Sequence, residues 1–195
     1  LITEPSSKLF PGYGSLLAKL KPTGRPLPDF VHIPEVLSNL GFDLPGQFAG
    51  FLGRGFDPYV TGDPSLDGWT PPGLTLSRTV SPERFARRKG LYREIEQATS
   101  SLLAASEATT ALREHHRKAF EILGSSAVRQ AFDLAQEKDS VRERYGFDLA
   151  ADRRKLAREF GGVPHLGQSM LLARRLVESG VRLITVCAGR RYCQA

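Results

Sequence analysis

Four glycines within ten residues, Gly46, Gly50, Gly53 and Gly55 in GQFAGFLGRGFDP, are the first feature whose spacing could do chemistry. Glycine-rich loops hold phosphates because backbone N–H groups can approach an anion where no Cβ intervenes. A Walker loop ends in Gly-Lys-Ser/Thr, and Arg54-Gly55-Phe56 offers neither the lysine nor the hydroxyl. A dinucleotide fingerprint wants a third glycine where Pro58 stands. The stretch therefore reads as a tight loop with Phe48, Phe51 and Phe56 docked, able to aim Arg54 and Asp57 into a cleft.

The histidines give no metal spacing. His115 and His116 are adjacent, so on a helix they face about 100° apart and cannot chelate from one side. No Glu-x-x-His or His-x-x-x-His occurs, and His116 falls on an apolar stripe, as a core histidine would. His32 and His165 stand alone, so each becomes a site residue only if the fold brings it partners. Gly-x-Ser-x-Gly is missing, and Ser15 and Ser169 have no base at motif distance. Cys187, at a strand end, reads as a small buried hydrophobe, and the tail around Cys193 offers no further ligands for zinc.

The elements that must position these residues differ between the two parts of the chain. Residues 1–80 hold 11 of the 13 prolines, 11 of the 19 glycines and 9 of the 17 aromatic residues. Aromatic rings bury large areas, so this part reads as an ordered, loop-rich layer pinned by rings. Tyr13–Leu20 fits two turns of helix, and Asp29–Ile33 a short strand between Pro28 and Pro34.

Residues 81–195 read as helices followed by one strand. Ser81, Pro82 and Glu83 make a helix start, and Leu91, Ile95, Ala98, Leu102 and Ala105 form one apolar stripe. Leu112, His116, Ala119 and Leu123 repeat that spacing up to Gly124. A third helix runs from about Ser126 to Ala135 with Val128, Ala131 and Phe132 inward, and Asp152–Phe160 is a basic helical piece. The last helix opens at Pro164 and closes at Gly180, with Leu166, Met170, Ala173 and Val177 on one face. Val181–Cys187 is then a β-branched run, half of a βαβ unit, whose partner strands are expected in chain outside this sequence. The fold class expected is α/β, one partial domain with a loop-rich N-terminal part, a helical middle and one C-terminal core strand.

Composition narrows the function. The 195 residues contain no run of about 18 apolar residues, so no membrane span is expected. Two cysteines are too few for a disulfide framework. Net charge is −1 over residues 1–80 and +7 over 81–195. Arg87-Arg88-Lys89, Arg153-Arg154-Lys155 and Arg190-Arg191 carry the excess on outer faces of separate helices, which fits solvated surface better than nucleic acid. No nucleic acid is expected; an anionic small molecule suits the same field.

Three segments in order carry a resemblance: GQFAGFLGRGFDPY (Gly46–Tyr59), AFDLAQEKDSVRERYG (Ala131–Gly146) and GQSMLLARRLVESGVRLITV (Gly167–Val186). Together they resemble the bacterial sulfatase-like proteins known as the domain of unknown function 1501 family, placed in the alkaline phosphatase superfamily. The resemblance implies an exported or periplasmic metallohydrolase with a three-layer fold, a parallel sheet between helices, acting on sulfate or phosphate esters with a divalent metal. The family's acidic metal-binding stretch precedes the region matching Leu1, and its Trp-Asp-Thr-His follows the strand matching Val181–Val186. Here Cys187–Ala195 departs from that pattern, as a truncation, frameshift or fragment end would, and Phe147–Pro164 is longer than the resemblance leads one to expect. No metal ligand or nucleophile carries over to any position, so no cofactor is expected within this chain.

The first expectation is an internal piece of such a hydrolase that shapes a cleft for an anionic or saccharide ester, inactive without the remainder of its own domain. His32, Arg54, Asp57, His165 and Gln168 are its candidate substrate-binding residues. The rivals are a non-catalytic exported protein of the same fold and a small basic binding module.

Overall fold

The computed structural model describes residues 10–39, 42–74, 76, 79–103, 107–146 and 165–188. Tyr13–Leu20 forms helix α1. Phe30–Ile33 forms β1, a β-branched and aromatic strand buried at every residue. Ser38–Asn39 (β2) and Phe42–Asp43 (β3) pair antiparallel as a small flap. The Gln47 amide pins it, accepting from the N–H of Leu37 and donating to the carbonyls of Leu37 and Leu44 at 2.6–2.8 Å. Two 3₁₀ turns, Gly50–Leu52 and Arg54–Phe56, lead into β4, Tyr59–Val60.

β4 and β1 do not wait for missing partners. They join β5, Leu183–Val186, in one all-parallel sheet of order β4-β1-β5. Val31 lies opposite both Tyr59 and Ile184, so β1 is the central strand. The expectation that β5 pairs only with absent chain is therefore corrected: the loop-rich part supplies two of the three strands. Tyr59-Val60 is too short to show an alternation in sequence, which is why it passed as loop.

Period-two alternation gives β1 two different faces. Val31 and Ile33 enter a core with Phe132, Leu171, Leu172 and Leu176. Phe30 and His32 point the other way, with the Phe30 ring against Gly14 of α1. Helices thus cover both faces of the sheet.

The helix of Leu171, Leu172 and Leu176 is α6, His165–Ser179; before it come α4 (Ser126–Phe132), a 3₁₀ turn at Leu134–Gln136, and α5 (Asp139–Arg144). α4 ends three residues earlier than its apolar pattern because Asp133 Oδ1 accepts from the Ala135 N–H at 3.0 Å and starts a new turn. On α6 the expected inward face is corrected: Met170 and Val177 are about half exposed, whereas Leu171, Leu172 and Leu176 are fully buried. The two stripes are neighbours on the helix, and three leucines remove more apolar surface from water than Met, Ala and Val do. Gly180, at φ 108°, then turns the chain, with its own N–H and that of Val181 both donating to the Leu176 carbonyl.

α2 (Pro82–Leu103) and α3 (Glu107–Gly124) form an antiparallel hairpin. The Ser81 hydroxyl accepts from the Arg84 N–H and caps α2. Glu96 meets Arg113 at 3.8 Å, the Tyr92 hydroxyl lies 3.2 Å from His116 Nδ1, and Phe85 and Tyr92 pack on Phe120. The opposite side of α3 docks on the body. There the His115 ring covers Gly55 and Phe56, Lys118 pairs with Asp29, and Ile122 reaches the core. α3 is therefore sandwiched and α2 is outermost. Two expectations change with this: Leu91, Ile95 and Leu112 are more than half exposed, and His116 is an exposed residue rather than a core one. The basic piece Asp152–Phe160 and the tail beyond Ala188 lie outside the described residues. No described helix is long and apolar enough to cross a membrane.

Candidate functional site

Open parallel sheets bind ligands beyond the carboxyl ends of their strands, where successive loops diverge. Here β1, β4 and β5 end at Ile33, Val60 and Val186, and their three following loops are tied together. The Thr61 N–H donates to the His32 carbonyl (3.1 Å), the Gly62 N–H to Pro34 (2.9 Å), and the Cys187 N–H to Ile33 (2.7 Å). Trp69 Nε1 donates to the Thr61 carbonyl at 2.9 Å and lies over the loop after β4. Within that loop Asp63 Oδ1 accepts from both the N–H and the hydroxyl of Ser65, at 2.8 and 2.6 Å, an Asx turn that holds its shape.

His32 is the buried titratable group at this edge. It is 2% exposed, its Nδ1 has no hydrogen-bond partner, and burial lowers its pKa to about 4. At neutral pH it is therefore an uncharged imidazole, able to donate or accept one hydrogen bond but supplying no positive charge. Ser15 of α1, on the same side of the sheet as His32, is also fully buried with an unpartnered hydroxyl. Cys187 is buried too, and desolvation pushes its thiol pKa up, so it is a thiol and not a nucleophilic thiolate.

α6 runs back along β5, which places its first turn at the same edge. His165 opens it; its side chain lies outside the described residues. Gln168 is fully buried, and its Nε2 donates to the carbonyls of Arg142 (3.2 Å) and Tyr145 (3.0 Å) at the end of α5. The Arg142 carbonyl also accepts from the Tyr145 N–H, and the Tyr145 carbonyl lies just past the helix, so the amide adds to the closure of the α5 end. Its Oε1 has no partner.

Arg54 and Asp57 are elsewhere. Both precede β4 and so lie toward the end where the strands begin. Asp57 Oδ1 accepts from the Ala49 N–H at 2.8 Å, closing the glycine-rich loop, and Arg54 is exposed on it. His32 and Gln168 thus both lie toward the carboxyl edge but on opposite faces of the sheet, His32 on the side of α1 and Gln168 against the end of α5, while Arg54 and Asp57 lie apart from both. Thr61, Asp63 and Ser65 were not singled out from sequence. Thr-Gly-Asp-Pro-Ser is a visible turn signal, but only a strand at Tyr59-Val60 makes it a site loop.

Among the described residues, no three His, Cys, Asp or Glu side chains converge to hold a metal ion. What the edge does offer is a rigid frame of backbone groups, with a neutral histidine and an unpaired amide oxygen buried behind it on either face of the sheet.

Residues 3–190 match a protein family described only as "Protein of unknown function (DUF1501)". No curated protein and no solved structure matches the chain.

Proposed function

The chain belongs to that DUF1501 family, and from this premise we propose that it is part of a sulfatase-like hydrolase domain that cleaves sulfate or phosphate esters. One observation carries the reading furthest: an all-parallel sheet with helices on both faces, whose outer strands β4 and β5 each have a single partner among the described residues. Such a sheet is half of a doubly covered layer and has room for further strands on either side. Its carboxyl edge is where the substrate cleft belongs.

In this reading the chain's own residues shape the cleft. The Asx turn at Asp63–Ser65 and the Trp69 lid over Thr61 fix one wall, and the first turn of α6 with Gln168 fixes another. His32 supports the floor as a neutral group. The hydrolytic metal, and the acidic groups that hold it, come from outside the chain, and the basic surface draws in an anionic ester, a saccharide ester included. Export to the periplasm belongs to the same proposal.

The test compares this chain with the full-length protein, using 4-nitrophenyl sulfate and 4-nitrophenyl phosphate with metal content measured alongside. Turnover by the metal-loaded full-length protein and none by the chain is expected. A full-length protein that binds no stoichiometric divalent metal and turns over neither ester would establish the second reading, a non-catalytic protein of the same fold.

A further inference from the structure

The hairpin of α2 and α3 keeps an almost constant antiparallel register, with Glu96 beside Arg113, Tyr92 beside His116, and Phe85 beside Phe120 and Gly124. Leu91 and Ile95 each precede an α2 residue of that contact row, Tyr92 and Glu96. Leu112 and Ala119 likewise precede Arg113 and Phe120 on α3. One step back along a helix turns about 100°, and on two antiparallel helices that facing each other these turns lead to the same lateral side. Leu91, Ile95, Leu112 and Ala119 therefore form one flank of the hairpin, with Ile95 level with Leu112.

That flank is apolar and, among the described residues, uncovered. Leu91, Ile95 and Leu112 are 57%, 54% and 55% exposed, and Ala98 extends the row. Isolated exposed leucines are ordinary, but three large aliphatic side chains along one groove are not. The opposite flank is polar, carrying Glu114 and the Arg117–Glu121 pair. Toward the start of α2 the apolar flank ends in Arg84, Arg87 and Arg88. All three are exposed, and none forms an ion pair among the described residues.

We propose that this flank is a docking groove for one amphipathic helix of a partner protein, whose apolar face lies on Leu91, Ile95 and Leu112 and whose end carries carboxylates for Arg84, Arg87 and Arg88. A helix laid between α2 and α3 completes a three-helix layer by ordinary ridge-and-groove packing. From Arg84 to Ala98 the groove is about 21 Å long, which takes a partner helix of roughly 15 residues. Charge complementarity selects its direction, because the cations sit at one end of the groove only. A lipid surface would instead favour cations along both margins of the apolar stripe.

The test uses the whole chain and a designed 15-residue amphipathic peptide with three glutamates at one end, beside an otherwise identical peptide with lysines there. Binding is read by fluorescence anisotropy at two salt concentrations, with circular dichroism confirming that each variant folds. The glutamate peptide is expected to bind saturably and at least tenfold more tightly than the lysine peptide. Leu91→Ser with Ile95→Ser should weaken it tenfold or more at both salt concentrations. Arg84→Gln, Arg87→Gln and Arg88→Gln together should remove its salt dependence. Equal binding of the two peptides, or none of either, overturns the proposal. So does a flank occupied by a second copy, seen as a dimer that Ile95→Ser dissolves, and so does binding to anionic phosphatidylglycerol vesicles that the same variants abolish while the peptide fails to bind.

Discussion

The ring of Phe30 lies flat against the backbone of Gly14, so closely that a methyl group on this glycine would overlap the ring. α1 and the central strand can approach only because residue 14 has no side chain. Gly14→Ala is expected to destabilise the protein by about 1–3 kcal/mol through overpacking, although alanine is the better helix former. Gly90, in the interior of α2, has open space where a Cβ would stand. Gly90→Ala should therefore stabilise by about 0.5–1 kcal/mol. Urea unfolding of the two variants should give midpoints displaced in opposite directions; the same direction for both would contradict the packing of α1 on β1.

Buried His32 makes stability depend on pH. Its pKa falls from 6.5 to about 4 on folding, so between those values the unfolded chain binds the proton more readily. Above pH 6.5 the folded state carries no penalty; as pH falls toward 4 it loses at most about 1.4 kcal/mol per pH unit from this group. His32→Gln removes the titration. Stability of both proteins measured at pH 7.5, 6 and 5 should show an extra acid loss only in the parent chain, and parallel curves would mean that His32 is not buried as a neutral ring.

The sides of α6 can be told apart by truncation. Leu172→Ala empties a fully buried position and should cost about 2–5 kcal/mol. Val177→Ala removes a side chain that is 59% exposed and should stay within about 0.5 kcal/mol. Thermal or urea unfolding checks both, and a reversal of their order would restore the face that the sequence pattern favours.

Arg175 ties α6 to the segment after α4. Its guanidinium pairs with Glu137 at 2.5 Å and donates to the carbonyl of Gln130 at 2.6 Å. Both charged side chains are less than a fifth exposed, so removing one strands the other. Arg175→Leu is expected to cost about 2–3 kcal/mol, and Glu137→Gln on the same background far less than it costs alone. A double-mutant cycle measures this, and additive losses would show that the pair is not coupled.

The contrast between α6 and β1 shows what could be read in advance. The end of α6 and the presence of a strand soon after it, though shorter than the Val181–Cys187 run, were legible because Gly180 and the β-branched run after it are local signals, and local signals obey backbone sterics wherever the chain goes. The burial of Val128, Ala131 and Phe132 was legible for the same reason. His32 and Gln168 could be marked as polar residues in otherwise apolar surroundings, but nothing in their spacing said that one would face α1 and the other the end of α5.

The amino-acid sequence by itself determined the α/β class, the span of α1, the starts of α2 and α4, the ends of α3 and α6, the strand between Pro28 and Pro34, and the chain's membership of its family. Each depends on neighbours a few residues apart or on the order of segments along the chain. Only the tertiary structure decided that β1 and β4 complete the sheet of β5, which stripe of α6 meets it, and that the apolar row of α2 faces outward. Those outcomes depend on contacts between residues as distant as Val31 and Ile184, where packing against a particular partner surface outweighs any preference encoded locally.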